Sequence, residues 1–177
     1  MIKQLTSKEN LNAAYLQVYR NKGASGVDGK SVQTLKSTLQ ANGKQFIKQI
    51  ESGVYQPSPI LGVEIPKSNG KTRLLGVPTV TDRVFQQALH QVLQPVFEVD
   101  FQTHSYGFRP QRNAGQAIAQ SLKYINSGHQ HIVDIDLKSF FDEVEHYVLL
   151  ELIYRKVKCK QTLKLLRSFL RAPIFIN

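Results

Sequence analysis

Cysteine is nearly absent, with Cys159 the single one in 177 residues. That excludes an intramolecular disulfide and any zinc site built on several cysteines, and it makes a reducing compartment the simpler setting. Histidine does not take over the ligand role: the five histidines are scattered. The close pair His129 and His131 has no further Cys or His at ligand spacing on a second element, which reads as surface histidine. Long apolar runs are missing too. The N-terminus lacks the apolar stretch of a signal peptide, and no segment approaches the roughly 18 apolar residues of a membrane span, so a soluble intracellular protein is expected. Internal repeats, low-complexity tracts and Pro/Gly linkers are also absent, so successive parts of the fold must join through structured elements.

What the chain has is positive charge. The 23 Lys+Arg outweigh 13 Asp+Glu to leave +10 at pH 7, which favours a polyanionic partner. The excess is uneven: residues 1–80 hold eleven bases and four acids, residues 81–133 four and three, and residues 134–177 eight and six. At 41% hydrophobic residues the chain can also bury a core.

Thr6 and Glu9 have the spacing of a capping box, and Leu11, Ala14, Tyr15 and Val18 recur at helical intervals, predicting a helix over about 7–20. The polar stretch Asn21–Gly29, with three glycines, is a loop. Val32, Leu35, Leu39, Phe46, Ile47 and Ile50 then restore a helical period for one or two further helices. Two β-rich runs, Ile60–Ile65 and Thr72–Val77, flank Ser68-Asn69-Gly70, where Asn-Gly is a strong hairpin signal. From Thr81 to Gln94 apolar pairs repeat every four residues, predicting a buried helix that ends near Pro95. Residues 100–112 are irregular. Asn113 can cap a helix whose inward face is Ala114, Ala117, Ile118, Leu122 and Ile125, and Gly128 stands where a left-handed C-terminal residue belongs. A short strand over about 130–137 follows. The remainder reads as helical, with Leu163, Leu166, Phe169 and Leu170 as its core stripe and seven bases but no acid after Glu151, a basic amphipathic tail.

Three segments carry chemistry. In Val133-Asp134-Ile135-Asp136-Leu137-Lys138-Ser139-Phe140-Phe141-Asp142, strand alternation puts Asp134 and Asp136 on one face at the end of a buried apolar run. Two carboxylates there repel and lose hydration, which a divalent cation or a basic partner offsets, and hard oxygen ligands suit Mg²⁺. On spacing alone the simpler reading is that both acids cap or salt-bridge, since Asp-x-Asp is common by chance. In Ile65–Arg73, Lys67 and Lys71 bracket a tight turn and Arg73 lies on the return strand. These three cations can hold a triphosphate or a nucleic-acid backbone, or remain solvated. Ser105–Arg112 interleaves Tyr106 and Phe108 with Arg109 and Arg112, a mixture suited to base stacking with phosphate contact. Tyr106 and Phe108 would serve equally as core plugs.

The order of the segments is more specific than any one of them. Gly23-Ala24-Ser25-Gly26-Val27-Asp28-Gly29, then Ile65-Pro66-Lys67 through Arg73-Leu74-Leu75-Gly76-Val77-Pro78, then Tyr106-Gly107-Phe108-Arg109-Pro110, then Asp134 to Asp142 resemble the successive blocks of group II intron-encoded reverse transcriptases. The resemblance covers most of the chain. It implies an α+β fold in which helices and a β-hairpin form the fingers and one or more strands begin an antiparallel palm sheet. Residues 1–80 would be fingers with an N-terminal extension, 81–130 fingers/palm helices and a template-contacting loop, and 131–177 the first part of the palm.

The implied activity is RNA-directed DNA polymerase and intron maturase, serving splicing and retrohoming, with Mg²⁺ in a two-metal site. Asp136 would be the first catalytic carboxylate, holding metal together with the Leu137 carbonyl beside the nucleotide. Phe141 would be the steric gate that clashes with a 2′-hydroxyl. Lys67 and Arg73 would hold the incoming deoxynucleoside triphosphate, and Lys71, Phe108, Arg109 and Arg112 would meet nucleic acid. Asp134 is not singled out by the resemblance. The expected partners are group II intron RNA, template RNA, primer DNA and deoxynucleoside triphosphates, in a bacterial cytoplasm with no membrane, and a homodimer through exposed apolar surface.

One departure matters. The family completes its metal site with a downstream Asp-Asp pair, and no Asp-Asp pair occurs here. The expectation is therefore a fragment, engineered or naturally truncated, that binds nucleic acid but does not polymerise alone. Another prokaryotic reverse transcriptase, of a retroelement or CRISPR-associated, shares the palm motif, but Tyr106–Pro110 and the Gly-Val-Asp-Gly loop favour the intron type. A metal-dependent Asp-x-Asp glycosyltransferase needs a nucleotide-binding α/β unit, and no strand–helix–strand series precedes residue 130. A non-catalytic RNA-binding module is compatible with the first reading.

Overall fold

Ser7, rather than Thr6, starts the first long helix. The computed structural model describes residues 1–66 and 70–176. A short helix, α1 (Ile2–Leu5), precedes α2 (Lys8–Asn21), and α3 (Val32–Ser52) follows as one continuous helix. The Ser7 hydroxyl accepts the Asn10 N–H at 3.2 Å, satisfying a donor that the helix leaves open. The Thr6 hydroxyl donates instead to Glu51 at the end of α3, at 2.7 Å. The expected Thr6–Glu9 capping box is thus corrected, because a tertiary contact claims Thr6. Gly53 closes α3 at φ 74°, a left-handed conformation that glycine adopts without strain.

Helix α4 (Val80–Glu98) contains Pro95 and continues past it, where the sequence predicts a stop. So close to the C-terminus the proline removes a single helical N–H, and the helix survives the loss. The apolar stripes of α2, α3 and α4 meet in one core that includes Ala14, Leu35, Ile50, Val84, Phe85 and Ala88. Phe46, Tyr55 and Phe85 meet edge to face there, with centroids 5.2 to 6.2 Å apart.

The hairpin forms as predicted. Strands β1 (Ile60–Pro66) and β2 (Thr72–Val77) pair antiparallel, with Leu61 opposite Val77 and Ile65 opposite Arg73. Gly70 has φ 77°; Ser68 and Asn69 of the expected turn lie outside the described residues. Helices α6 (His146–Val157) and α7 (Lys160–Leu170) follow later in the chain, and β3 (Ile174–Ile176) then runs parallel to β1. That corrects the helical reading of the C-terminal segment. Pro173 cannot extend α7, its carbonyl accepts the Ile60 N–H at 2.8 Å, and Ile-Phe-Ile is β-prone. The buried face of α7 is also rotated from the predicted stripe: Leu165 is buried and Leu166 and Phe169 pack on the core, whereas Leu163 and Leu170 line a groove beside α6.

Met1–Gln94 and Glu145–Asn177 form one compact unit, and Pro95–Val144 forms the other. In the latter, α5 (Ala114–Asn126) is capped as predicted, with reciprocal Asn113–Gln116 bonds, and Gly128 has φ 94°. The expected inward face is not inward: no residue of α5 is buried. Among the described residues of this unit, no other complete helix or strand is formed against which α5 could bury that face. The strand predicted over 130–137 is likewise not formed, and Ile132, Val133 and Ile135 are each 82% exposed. A strand persists only beside a neighbour, and among the described residues none lies alongside.

The loop after α2 has a fixed seat. A Cβ on Gly26 would stand 2.7 Å from the Thr79 nitrogen, and backbone cannot yield as a flexible side chain can. Gly26→Ala is expected to lower stability by about 1–3 kcal/mol, read from the urea midpoint. Gly43, inside α3, has open space where a Cβ would go, so Gly43→Ala should instead add roughly 0.5–1 kcal/mol.

Candidate nucleic-acid interface

The hairpin is held at its root by a buried carboxylate. Asp82, 2% exposed, lies in the first turn of α4. It accepts the Tyr55 hydroxyl at 2.7 Å, the Thr79 hydroxyl at 2.6 Å and the Ser58 N–H at 3.1 Å. Ser58 precedes β1 and Thr79 follows β2, so both legs of the hairpin converge on one side chain. Burial, and then the neighbouring Asp82 charge, push the Tyr55 phenol far above the ordinary tyrosine range. Sequence reasoning missed this cluster, although Thr79 and Asp82 carry a capping-box spacing that points to it. Next to it, the Arg83 guanidinium donates to the Ala24 carbonyl. Burial lowers the Arg83 pKa, against the opposing charge of Asp28. The Gly23–Gly29 segment is thereby tied to the start of α4.

At the other end of the hairpin, Lys71 and Arg73 are exposed. Lys67, the third expected cation, lies outside the described residues.

The loop between α4 and α5 is organised by Arg109. Its Nε and one terminal nitrogen donate to the same Glu98 oxygen at 2.9 and 2.7 Å, and the other terminal nitrogen donates to the carbonyls of Gln102 and Ser105. The guanidinium also lies 5.1 Å from the centroid of the Phe101 ring. Its side chain is only 8% exposed, so its donors serve the loop. What the loop displays is Phe108, fully exposed at φ 55°. A bulky residue held left-handed in open solvent is a strained arrangement of the kind found at binding sites. Arg112 stacks over Tyr106 at 5.6 Å and donates to the Thr103 carbonyl at 3.1 Å.

Asp136, Leu137 and Phe141 line one open hollow of about 660 Å³ together with Asp142. A turn brings them together: Ser139 has φ 51°, and its carbonyl accepts the Asp142 N–H at 2.9 Å. The Phe140 and Phe141 rings then meet edge to face at 5.5 Å. Asp134 does not line the hollow, and both Asp134 and Asp136 are exposed. The sequence reading placed them at the end of a buried strand; with no strand formed they keep their hydration. No group of three His, Cys, Asp or Glu side chains suited to a metal occurs among the described residues. The hollow offers hard oxygen donors, with no nitrogen or sulfur side-chain ligand in its lining. That fits Mg²⁺, which takes one or two carboxylates and fills its shell with water and phosphate oxygens. No helix among the described residues is long and apolar enough to cross a membrane.

Residues 65–177 match the family described as reverse transcriptase (RNA-dependent DNA polymerase). Protein YkfC of Escherichia coli (strain K12) is 35% identical over 178 residues, an alignment covering 97% of this chain and 47% of that protein. Group II intron-encoded protein LtrA of Lactococcus lactis subsp. cremoris is 36% identical over 165 residues, covering 93% of this chain and 27% of LtrA. A putative COX1/OXI3 intron 2 protein of Saccharomyces cerevisiae is 27% identical over 172 residues, covering 97% of this chain and 20% of that protein. The chain thus spans less than half the length of these curated relatives.

Proposed function

The chain belongs to the reverse transcriptase (RNA-dependent DNA polymerase) family, and we propose that, like the group II intron-encoded protein it is similar to, it serves RNA-directed DNA synthesis and the splicing and mobility of a group II intron. The observation that carries this reading is the single hollow shared by Asp136, Leu137 and Phe141. The Asp136 carboxylate and the Leu137 carbonyl would hold Mg²⁺, which would supply Lewis-acid activation of the primer hydroxyl and charge neutralisation at the triphosphate. Arg73, with Lys67, grips the incoming deoxynucleoside triphosphate. Lys71 and Arg112 meet backbone phosphates, and Arg109 keeps the loop in the shape that presents Phe108 to a base.

Residues 1–80 act as fingers with an N-terminal extension, 81–130 as fingers/palm helices with the template loop, and 131–177 as palm. The partners are intron RNA, template RNA, primer DNA and deoxynucleoside triphosphates, in the cytoplasm of a bacterium. Exposed apolar side chains such as Ile132 and Ile135 offer a surface for a homodimer.

Phe141 provides the test. Its ring is 87% exposed on the rim of the hollow, free to meet a ribose. Phe141→Ala should relax discrimination against ribonucleotides by roughly ten- to a hundredfold, measured by primer extension with paired deoxy- and ribonucleoside triphosphates on the intact gene product. Unchanged discrimination would remove Phe141 from the nucleotide site.

A further inference from the structure

Lys160, Lys164, Arg167 and Arg171 recur at intervals of four, three and four residues, so they form one row along α7 and its C-cap. At 1.5 Å rise per residue the row is about 16 Å long. All four line a single groove of about 500 Å³ between α6 and α7, within the roughly 300–1,000 Å³ of ligand pockets. All four are exposed, and none is ion-paired among the described residues. The floor is apolar and aromatic, with Leu163 from α7 and Tyr147, 77% exposed, from α6. The acid in the lining, Glu151, is paired with Arg155 at 2.9 Å, so the field of the groove stays positive.

Two features decide the occupant. The apolar side of α7 is already used, since Leu165, Leu166 and Phe169 pack on the core, so the helix cannot lay that side into a lipid surface. A cationic rim over an aromatic floor matches a chain that carries phosphates on one edge and free ring faces on the other. We propose that this groove binds a single-stranded RNA segment, its phosphates along the four cations and an unstacked base against Tyr147 and Leu163. A duplex presents the same phosphates but keeps its bases stacked away from the floor. The inference takes its partner class from the reverse-transcriptase reading and adds a binding surface to it.

The test is fluorescence anisotropy of the whole chain with labelled single-stranded oligouridine across a salt series. The variant Lys160→Gln/Lys164→Gln/Arg167→Gln/Arg171→Gln should flatten the slope of log K against log salt by about 0.7 per lost phosphate contact, and weaken binding roughly a hundredfold near 0.1 M salt. Tyr147→Ala should weaken binding about tenfold while leaving the slope unchanged. A charge-matched control, Lys8→Gln/Lys36→Gln/Lys44→Gln/Lys48→Gln, should change the slope far less, and matched circular dichroism melts establish that all variants fold. Equal losses in groove and control variants would overturn the proposal, as would equal affinity for a duplex or preferential capture of an acidic peptide. If the unaltered chain binds RNA but the groove variant does so equally well, this inference fails and the family-based reading stands. If the unaltered chain binds no nucleic acid, both fail.

Discussion

Asp82→Ala should cost about 3–5 kcal/mol of folding stability, the sum expected for several stranded donors, read as a lowered urea midpoint at unchanged slope. The truncation removes a carboxylate that accepts from Tyr55, Thr79 and Ser58, and it strands the buried Tyr55 and Thr79 hydroxyls and the half-buried Ser58 N–H. Tyr55→Phe removes only one donor and should cost about 1–2 kcal/mol. The pH dependence has a definite sign. The Tyr55 phenol is held protonated in the folded state, so its contribution is complete below about pH 10, the ordinary tyrosine pKa, and declines as pH rises past it. A loss below about 1 kcal/mol on Asp82→Ala would mean that water satisfies the stranded groups. The functional consequence concerns the hairpin. With its root released, the strand that carries Arg73 loses its support, so on the proposed role of Arg73 nucleotide affinity should fall together with stability.

The second large effect belongs to Asp136. Asp136→Asn keeps the size of the side chain and removes its charge, so the hollow with Leu137 and Phe141 should persist while its affinity for Mg²⁺ drops. DNA synthesis by the intact gene product is expected to fall on the order of a thousandfold or more, whereas RNA binding and the melting temperature should stay near those of the unaltered protein. Asp134→Asn should have a much smaller effect, because Asp134 lies outside the hollow. Comparable losses for the two variants would assign the metal to both carboxylates.

What could be read from the sequence followed the range of the forces involved. The hairpin was legible because alternation over Ile60–Ile65 and Thr72–Val77, with Asn-Gly between them, is local information, and the strands run Ile60–Pro66 and Thr72–Val77. The caps of α5 were legible for the same reason, since Asn113 and Gln116 satisfy each other. Thr6 departs from its local capping pattern because its partner, Glu51, lies 45 residues away. The alternation at 130–137 does not become a strand, because periodicity reports which face a strand would bury and says nothing of whether a neighbour exists to pair with it. The family blocks located Asp136, Leu137 and Phe141, which the turn at Ser139 does bring together. They also singled out Arg109, but the direction of its side chain was beyond them: it turns inward to Glu98, leaving Phe108 as the exposed group. For the Asp82 cluster the sequence offers only the Thr79–Asp82 capping spacing; the convergence of Tyr55 and Ser58 on the same carboxylate, 27 and 24 residues away, is not local information.

The most direct measurement is to sequence the DNA made by the intact gene product on a defined RNA template with an annealed primer, Mg²⁺ and deoxynucleoside triphosphates. A product complementary to the template along its length, and absent with Asp136→Asn, is the predicted result. No product, an untemplated tail, or synthesis indifferent to Asp136→Asn would contradict it.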